Sequence, residues 1–274
     1  MGKWIGRLLL LILLGVFAFS AVKLLQIRNK YRTGEEIYDT ATEQFTQTSE
    51  FTPESSEPAA GGIVETVDLL EEDPGVLYAP IVVDFDQLTA VNSDIEGWIY
   101  CEDSVINYPV VAAPDNEYYV ERSYTRVVDP CGTIFTDADN LKGFEDNNTI
   151  LYGHHMQNMS MFATLKYWLK QEYYDEHPYM WLLTPEQDYM IVLFSGYETS
   201  ATSETYTIFR GAGSELRLYL AEAAAKSLFH SDFVPDGRGK YVVLSTCAYS
   251  YDEARTVLHG KLVPVGSAGG IPIE

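Results

Sequence analysis

Cysteine is scarce, basic side chains are outnumbered, and no metal-ligand spacing occurs. The 274 residues contain only Cys101, Cys131 and Cys247, too few for a disulfide scaffold, and an odd number leaves at least one thiol free or paired with another chain. Cys101 and Cys131 read as two buried thiols, with a bridge between them as the alternative, because sequence does not give their separation. Lys and Arg total 18 against 40 Asp and Glu, a formal net charge of −22. No Lys or Arg stands between Thr33 and Gly75. Such a chain repels phosphate backbones, so nucleic acid is excluded as a partner. The absence of CxxC and HxxxH spacing removes the common zinc arrangements, and no metal or other cofactor is expected. There is no internal repeat. What remains is 46% hydrophobic, enough to bury one sizeable core.

The uncharged run Leu8 to Val22 is too short to span a bilayer alone. Extended from Trp4 to Ile27, with Arg7 and Lys23 reaching toward the headgroups, it becomes long enough. Residues 1–32 are therefore expected to be a membrane anchor. A cleaved signal peptide is the alternative, with Ala18-Phe19-Ser20 before Ala21 as the cleavage site. Lys23, Arg28, Lys30 and Arg32 follow the run while only Lys3 and Arg7 precede it, which favours a cytoplasmic C-terminal side. The acidic composition downstream and the chemistry described below favour export, and an extracellular catalytic domain is the expectation. Residues 33–77, rich in Thr, Ser, Glu and Pro, bury too little to offset chain entropy and read as a flexible stalk.

Ordered structure is expected over 78–274. Alternating or apolar tracts predict strands at Gly97–Tyr100, 132–137, 148–154, 189–199, 206–211, 240–247 and 256–266, with further strand-like runs and a short helical patch before residue 112. Helices are predicted over 160–177, stopped by Pro178, and over 214–230. Many short strands with few helices point to a mainly β fold, a closed or nearly closed β-barrel decorated by helices.

The tract KYVVLSTC sends Val243, Ser245 and Cys247 to one strand face and Val242, Leu244 and Thr246 to the other. Cys247 thus sits at a strand end, where a thiol is both held and reachable. Arg255 follows the polar loop YSYDEA, and an antiparallel hairpin would return it beside Cys247. A guanidinium there favours thiolate or stabilises an oxyanion; the ordinary alternative is a surface partner for Asp252 or Glu253. The strand NTILY ends at Gly153, and His154 follows on the turn. Imidazole suits the proton transfer that acyl transfer from a thiol needs. His154 and His155 should point apart, so one of them faces the thiol. His177, His230 and His259 have ordinary helix-end or strand readings.

These residues resemble the signature of the sortases, membrane-anchored cysteine transpeptidases. LSTC, the arginine of DEAR, and YGH upstream carry the resemblance, which runs from Ala79 to Val265. INYPVV, DNEYY, GTIFTDADN, ILYGHHM, MFATL, EHPYMWLLT and STCAYSYDEAR are similar, in order, to class B. The resemblance implies a barrel of about eight strands, with His154, Cys247 and Arg255 as catalytic residues. It also implies substrate contacts at Ser245, Thr246, Thr202 and Tyr206, although Val243 replaces the family's leading Thr. The expected partners are secreted proteins with an Asn-Pro-x-Thr-like C-terminal sorting signal and a peptidoglycan-precursor amine. A pilin-polymerising sortase is the alternative within the family. Asp73-Pro74-Gly75 lacks that subclass's aromatic lid residue, and the polar-to-neutral tail after Val265 offers no second membrane segment. Outside the family, the alternatives are a peptidoglycan-directed cysteine peptidase or amidase and a non-enzymatic binding module.

Overall fold

The computed structural model describes residues 2–49 and 77–266. In chain order these form α1 (Gly2–Phe45), β1 (Thr46–Thr48), β2 (Ile81–Val83), α2 (Phe85–Val91), β3 (Ile95–Tyr100), β4 (Asn107–Ala112) and β5 (Ile134–Thr136). There follow β6 (Asn148–Tyr152), α3 (Gln171–Glu176), β7 (Tyr179–Leu183), β8 (Tyr189–Ser200), α4 (Ser214–Lys226), β9 (Lys240–Cys247) and β10 (Ala254–Pro264). Strands β3 to β10 close into an eight-stranded barrel in the order β10-β8-β7-β3-β4-β5-β6-β9. This is the expected mainly β, closed architecture, and closure leaves these strands without an open edge. The β4–β5 and β6–β9 pairs are parallel. The second of these brings the C-terminal ends of β6 and β9 to one rim.

Strand β9 is a continuous apolar tract because both of its faces are covered. Val242 and Leu244 join the main core, while Val243 packs with Ile150, Tyr197, Ala223 and Val257 under α4. Each such buried aliphatic side chain stabilises the fold by about 1.5–3 kcal/mol. His259 of β10 belongs to this layer. It is 1% exposed and stacks on Tyr197, and burial pulls its pKa down to about 3, so it is a neutral core histidine. Cys101 and Cys131 are free and buried, as read from sequence. Burial pushes their thiols up to about 11 and about 12.

Several expectations are corrected. The tract 206–211 is not a strand. Glu204–Tyr206 form a 3-10 turn, and the Phe209 carbonyl accepts from the Asn147 and Asn148 amides without a ladder forming. The helix expected over 160–177 splits into a 3-10 segment, Ala163–Leu169, and α3, with Lys170 extended between them. Phe162, Leu165 and Trp168 are all 0% exposed, and their spacing of three residues matches a 3-10 turn better than an α-helix. The short strand β7, immediately after Pro178, lay outside the predicted strands.

The largest correction is N-terminal. The segment expected to be a stalk from Thr33 is helical through Phe45 and then pairs as β1 with β2. Tyr38, Ala41 and Phe45 are 5%, 0% and 2% exposed, so an apolar stripe hidden among acidic residues docks this part of α1 on the barrel. The remainder of the expected stalk, residues 50–76 with Asp73-Pro74-Gly75, and the tail 267–274 lie outside the described residues. Among the described residues no helix is long and apolar enough to cross a membrane.

Candidate active site

Three strands meet at one rim. Tyr152 of β6 is in register with Ser245 of β9, and the Gly153 amide extends this pairing by donating to the Ser245 carbonyl at 3.1 Å. On the other side of β9, Arg255 is the direct partner of Cys247. Cys247 is therefore flanked by the end of β6, which leads into His154, and by the start of β10, which carries Arg255. Gly153 is required by packing: a Cβ there would collide with Ile134 and stand 2.7 Å from the Phe162 ring.

His154, Cys247 and Arg255 line one cleft of about 330 Å³. Ser245, Thr246 and Tyr206 line it too, joined by Tyr152, Phe135, Val120, Asn116, Thr133 and Ala201. A larger cavity of about 390 Å³, near Phe45, Val83 and Leu183, contains no nucleophile, so size alone does not select the site. Cys247 is partly exposed, unlike the other two thiols.

The two histidines point to different partners. His154 Nε2–H donates to the Val120 carbonyl at 2.6 Å. His155 Nδ1 instead faces the Cys247 carbonyl at 2.7 Å, its Nε2 lies 3.5 Å from Lys166 Nζ, and Tyr249 stands edge-on to its ring. His154 is the histidine in the cleft. Arg255 Nη1 donates to the Ala254 carbonyl at 3.0 Å. Among the described residues Arg255 forms no ion pair with Asp252 or Glu253, and its other N–H groups remain available as donors.

The substrate-contact residues separate. Tyr206 and Ser245 share a hydroxyl hydrogen bond of 2.9 Å, and Tyr206 stacks on Tyr152. Burial lifts the Tyr206 phenol above its ordinary pKa despite the Ser245 bond and nearby Arg255, so this wall stays uncharged. Thr246 Oγ1 is buried without a hydrogen-bond partner among the described residues. Thr202 is exposed, shares a hydrogen bond with Ser200 at 3.1 Å, and does not line the cleft, although its neighbour Ala201 does. Val120 was not legible in sequence because it acts through a backbone carbonyl. Tyr152 and Phe135 were signalled only as strand residues in ILYGHHM and GTIFTDADN. Among the described residues no cluster of His, Cys, Asp and Glu could hold a metal ion.

No protein-family model matches the chain. Individual proteins do. Sortase B of Listeria monocytogenes serovar 1/2a is 29% identical over 265 residues, 95% of this chain and 98% of its own length. Sortase B of Staphylococcus aureus is 34% identical over 185 residues, 66% of this chain and 75% of its own. The solved Staphylococcus aureus sortase B–substrate complex matches with a TM-score of 0.62 at 31% identity, covering 66% of this chain and 85% of that one. With that identity over that share of a relative, and with the same closed barrel, the chain belongs to the class B sortases and is a cysteine transpeptidase.

Proposed function

We propose that Cys247 is the nucleophile, His154 the proton carrier and Arg255 the oxyanion donor of this transpeptidase. The observation that carries the reading is their convergence on one cleft from the ends of three adjoining strands. Cys247 Sγ attacks the Thr carbonyl of an Asn-Pro-x-Thr-like sorting signal on a secreted protein. Arg255 N–H groups receive the negative charge that develops on the carbonyl oxygen. His154 protonates the departing amide nitrogen, leaving the acyl group on sulfur as a thioester. An amine of the peptidoglycan precursor then attacks the thioester, His154 accepts its proton, and the thiolate leaves. Because Nε2–H is held by Val120, Nδ1 is the nitrogen left to exchange the proton. The uncharged wall of Tyr206, Ser245 and Tyr152 suits an extended, largely uncharged peptide. The Staphylococcus aureus sortase B–substrate complex supports binding of a sorting-signal substrate.

Arg255→Ala is expected to lower kcat by about 10²–10³-fold with a smaller change in KM, the loss typical of removing one oxyanion donor. Arg255→Lys should recover little, since an ammonium does not reproduce the planar fork. Steady-state kinetics with a signal peptide and an amine acceptor measure both; wild-type kcat in Arg255→Ala rules out the oxyanion role.

Residues 1–32 are proposed as the membrane anchor, with the domain after residue 77 extracellular. Exposed apolar side chains along α1, among them Leu11, Leu13, Phe17, Phe19 and Leu24, support this. The full chain should sediment with membranes and a chain beginning at Thr33 should not; soluble full chain contradicts the anchor.

A further inference from the structure

The part of α1 that composition assigns to a spacer docks on the barrel through Tyr38, beside Gly132 and Thr133. Tyr38 is 5% exposed. Its ring stands edge-on to Tyr108, with centroids 5.3 Å apart, and tilts against Tyr124. Its hydroxyl donates to the Gly132 carbonyl and lies 3.2 Å from Thr133 Oγ1. Burial pushes this phenol well above its ordinary pKa, so it stays a donor at any working pH.

Two short routes lead from Tyr38 to His154. The first passes through Gly132, whose φ of 59° places it in the left-handed region. A Cβ at Gly132 would collide with the Val120 carbonyl and come within 2.8 Å of the Tyr119 carbonyl and 3.1 Å of His154 Cδ2. Gly132 is thus the surface against which both the imidazole and its Val120 acceptor are seated. The second route passes through Tyr108. Its hydroxyl accepts from the Met161 amide at 3.0 Å, Met161 bridges to His155, and the Phe162 amide donates to the His154 carbonyl at 3.0 Å. One route holds the ring of His154 and the other holds its backbone.

We propose that Tyr38 is a positioning residue for His154, fixing Gly132 and Tyr108 from α1 so that the imidazole keeps its orientation against the Val120 carbonyl. The docked end of α1 is then a working part of the acyl-transfer centre, a role that rests on the assignment of proton transfer to His154. Displacing a reacting group by about 1 Å can cost about 10²-fold in rate. Loss of one anchoring hydroxyl, with ring packing retained, should cost about tenfold on the same scale.

The test is Tyr38→Phe in the full chain, which removes only the hydroxyl. Expected are a kcat lowered about tenfold, a KM for the signal peptide changed by less than about twofold because the Tyr206 and Ser245 wall is untouched, and a displaced His154 ring N–H proton resonance. That resonance is assigned by its absence in His154→Ala. Wild-type kcat and an unmoved resonance in Tyr38→Phe, with His154→Ala inactive, overturn the positioning role and leave that of His154 standing. A lower kcat accompanied by a lower thermal midpoint and an unmoved resonance makes Tyr38 merely structural and also overturns the proposal. Wild-type turnover in His154→Ala removes the proton-transfer assignment itself, and the positioning role with it.

Discussion

Replacing Cys247 with alanine is expected to lower transpeptidation by at least about 10⁴-fold, because removing a nucleophile removes the covalent route itself. No other thiol can take over. Cys101 and Cys131 are 2% and 1% exposed, and burial holds their pKa values near 11 and 12, so neither supplies thiolate near neutrality. Cys131 has the Asp129 carboxylate beside it as well, which disfavours thiolate further. Turnover of a signal peptide with an amine acceptor, measured on protein whose thermal unfolding matches wild type, checks the prediction. Activity within about tenfold of wild type would move the nucleophile elsewhere.

His154→Ala is expected to lower kcat by about 10³-fold, within the range of a lost general acid–base group, while KM for the peptide changes little. His155→Ala should cost less than about tenfold, since that ring faces the Cys247 carbonyl and Lys166 and does not line the cleft. Comparing kcat and KM for the two variants separates the roles of these two neighbouring histidines. The reverse ranking contradicts the assignment.

How legible each feature was depended on the interaction behind it. The barrel was readable because β8, β9 and β10 carry long apolar tracts whose periodicity survives in one dimension. Cys247 and Arg255 were readable as a pair because a hairpin is a local structure, and their direct register follows from a short loop. The residues alone left His154 and His155 open and only the resemblance named His154, because the Val120 carbonyl that holds the His154 ring leaves no trace in side-chain identity. The same blindness hid the role of Gly132. Tyr206 lines the cleft, but the strand expected to begin there does not form, because Tyr206 belongs to a 3-10 turn held by side-chain bonds such as Tyr197 to Thr205 at 3.0 Å. The stalk failed at Thr33 for a compositional reason. Tyr38, Ala41 and Phe45 make a narrow apolar stripe, and the surrounding acidic and polar residues dominate any window average.

The account turns on a thioester at Cys247 that an amine resolves. The full chain is incubated with a sorting-signal peptide, quenched in acid and digested, and the acylated fragment is identified by mass, with and without an amine acceptor. The predicted result is acyl mass on the fragment containing Cys247, absent from Cys247→Ala and depleted by the amine as the transpeptidation product appears. Acyl mass on another residue, or hydrolysis that no amine alters, would contradict it.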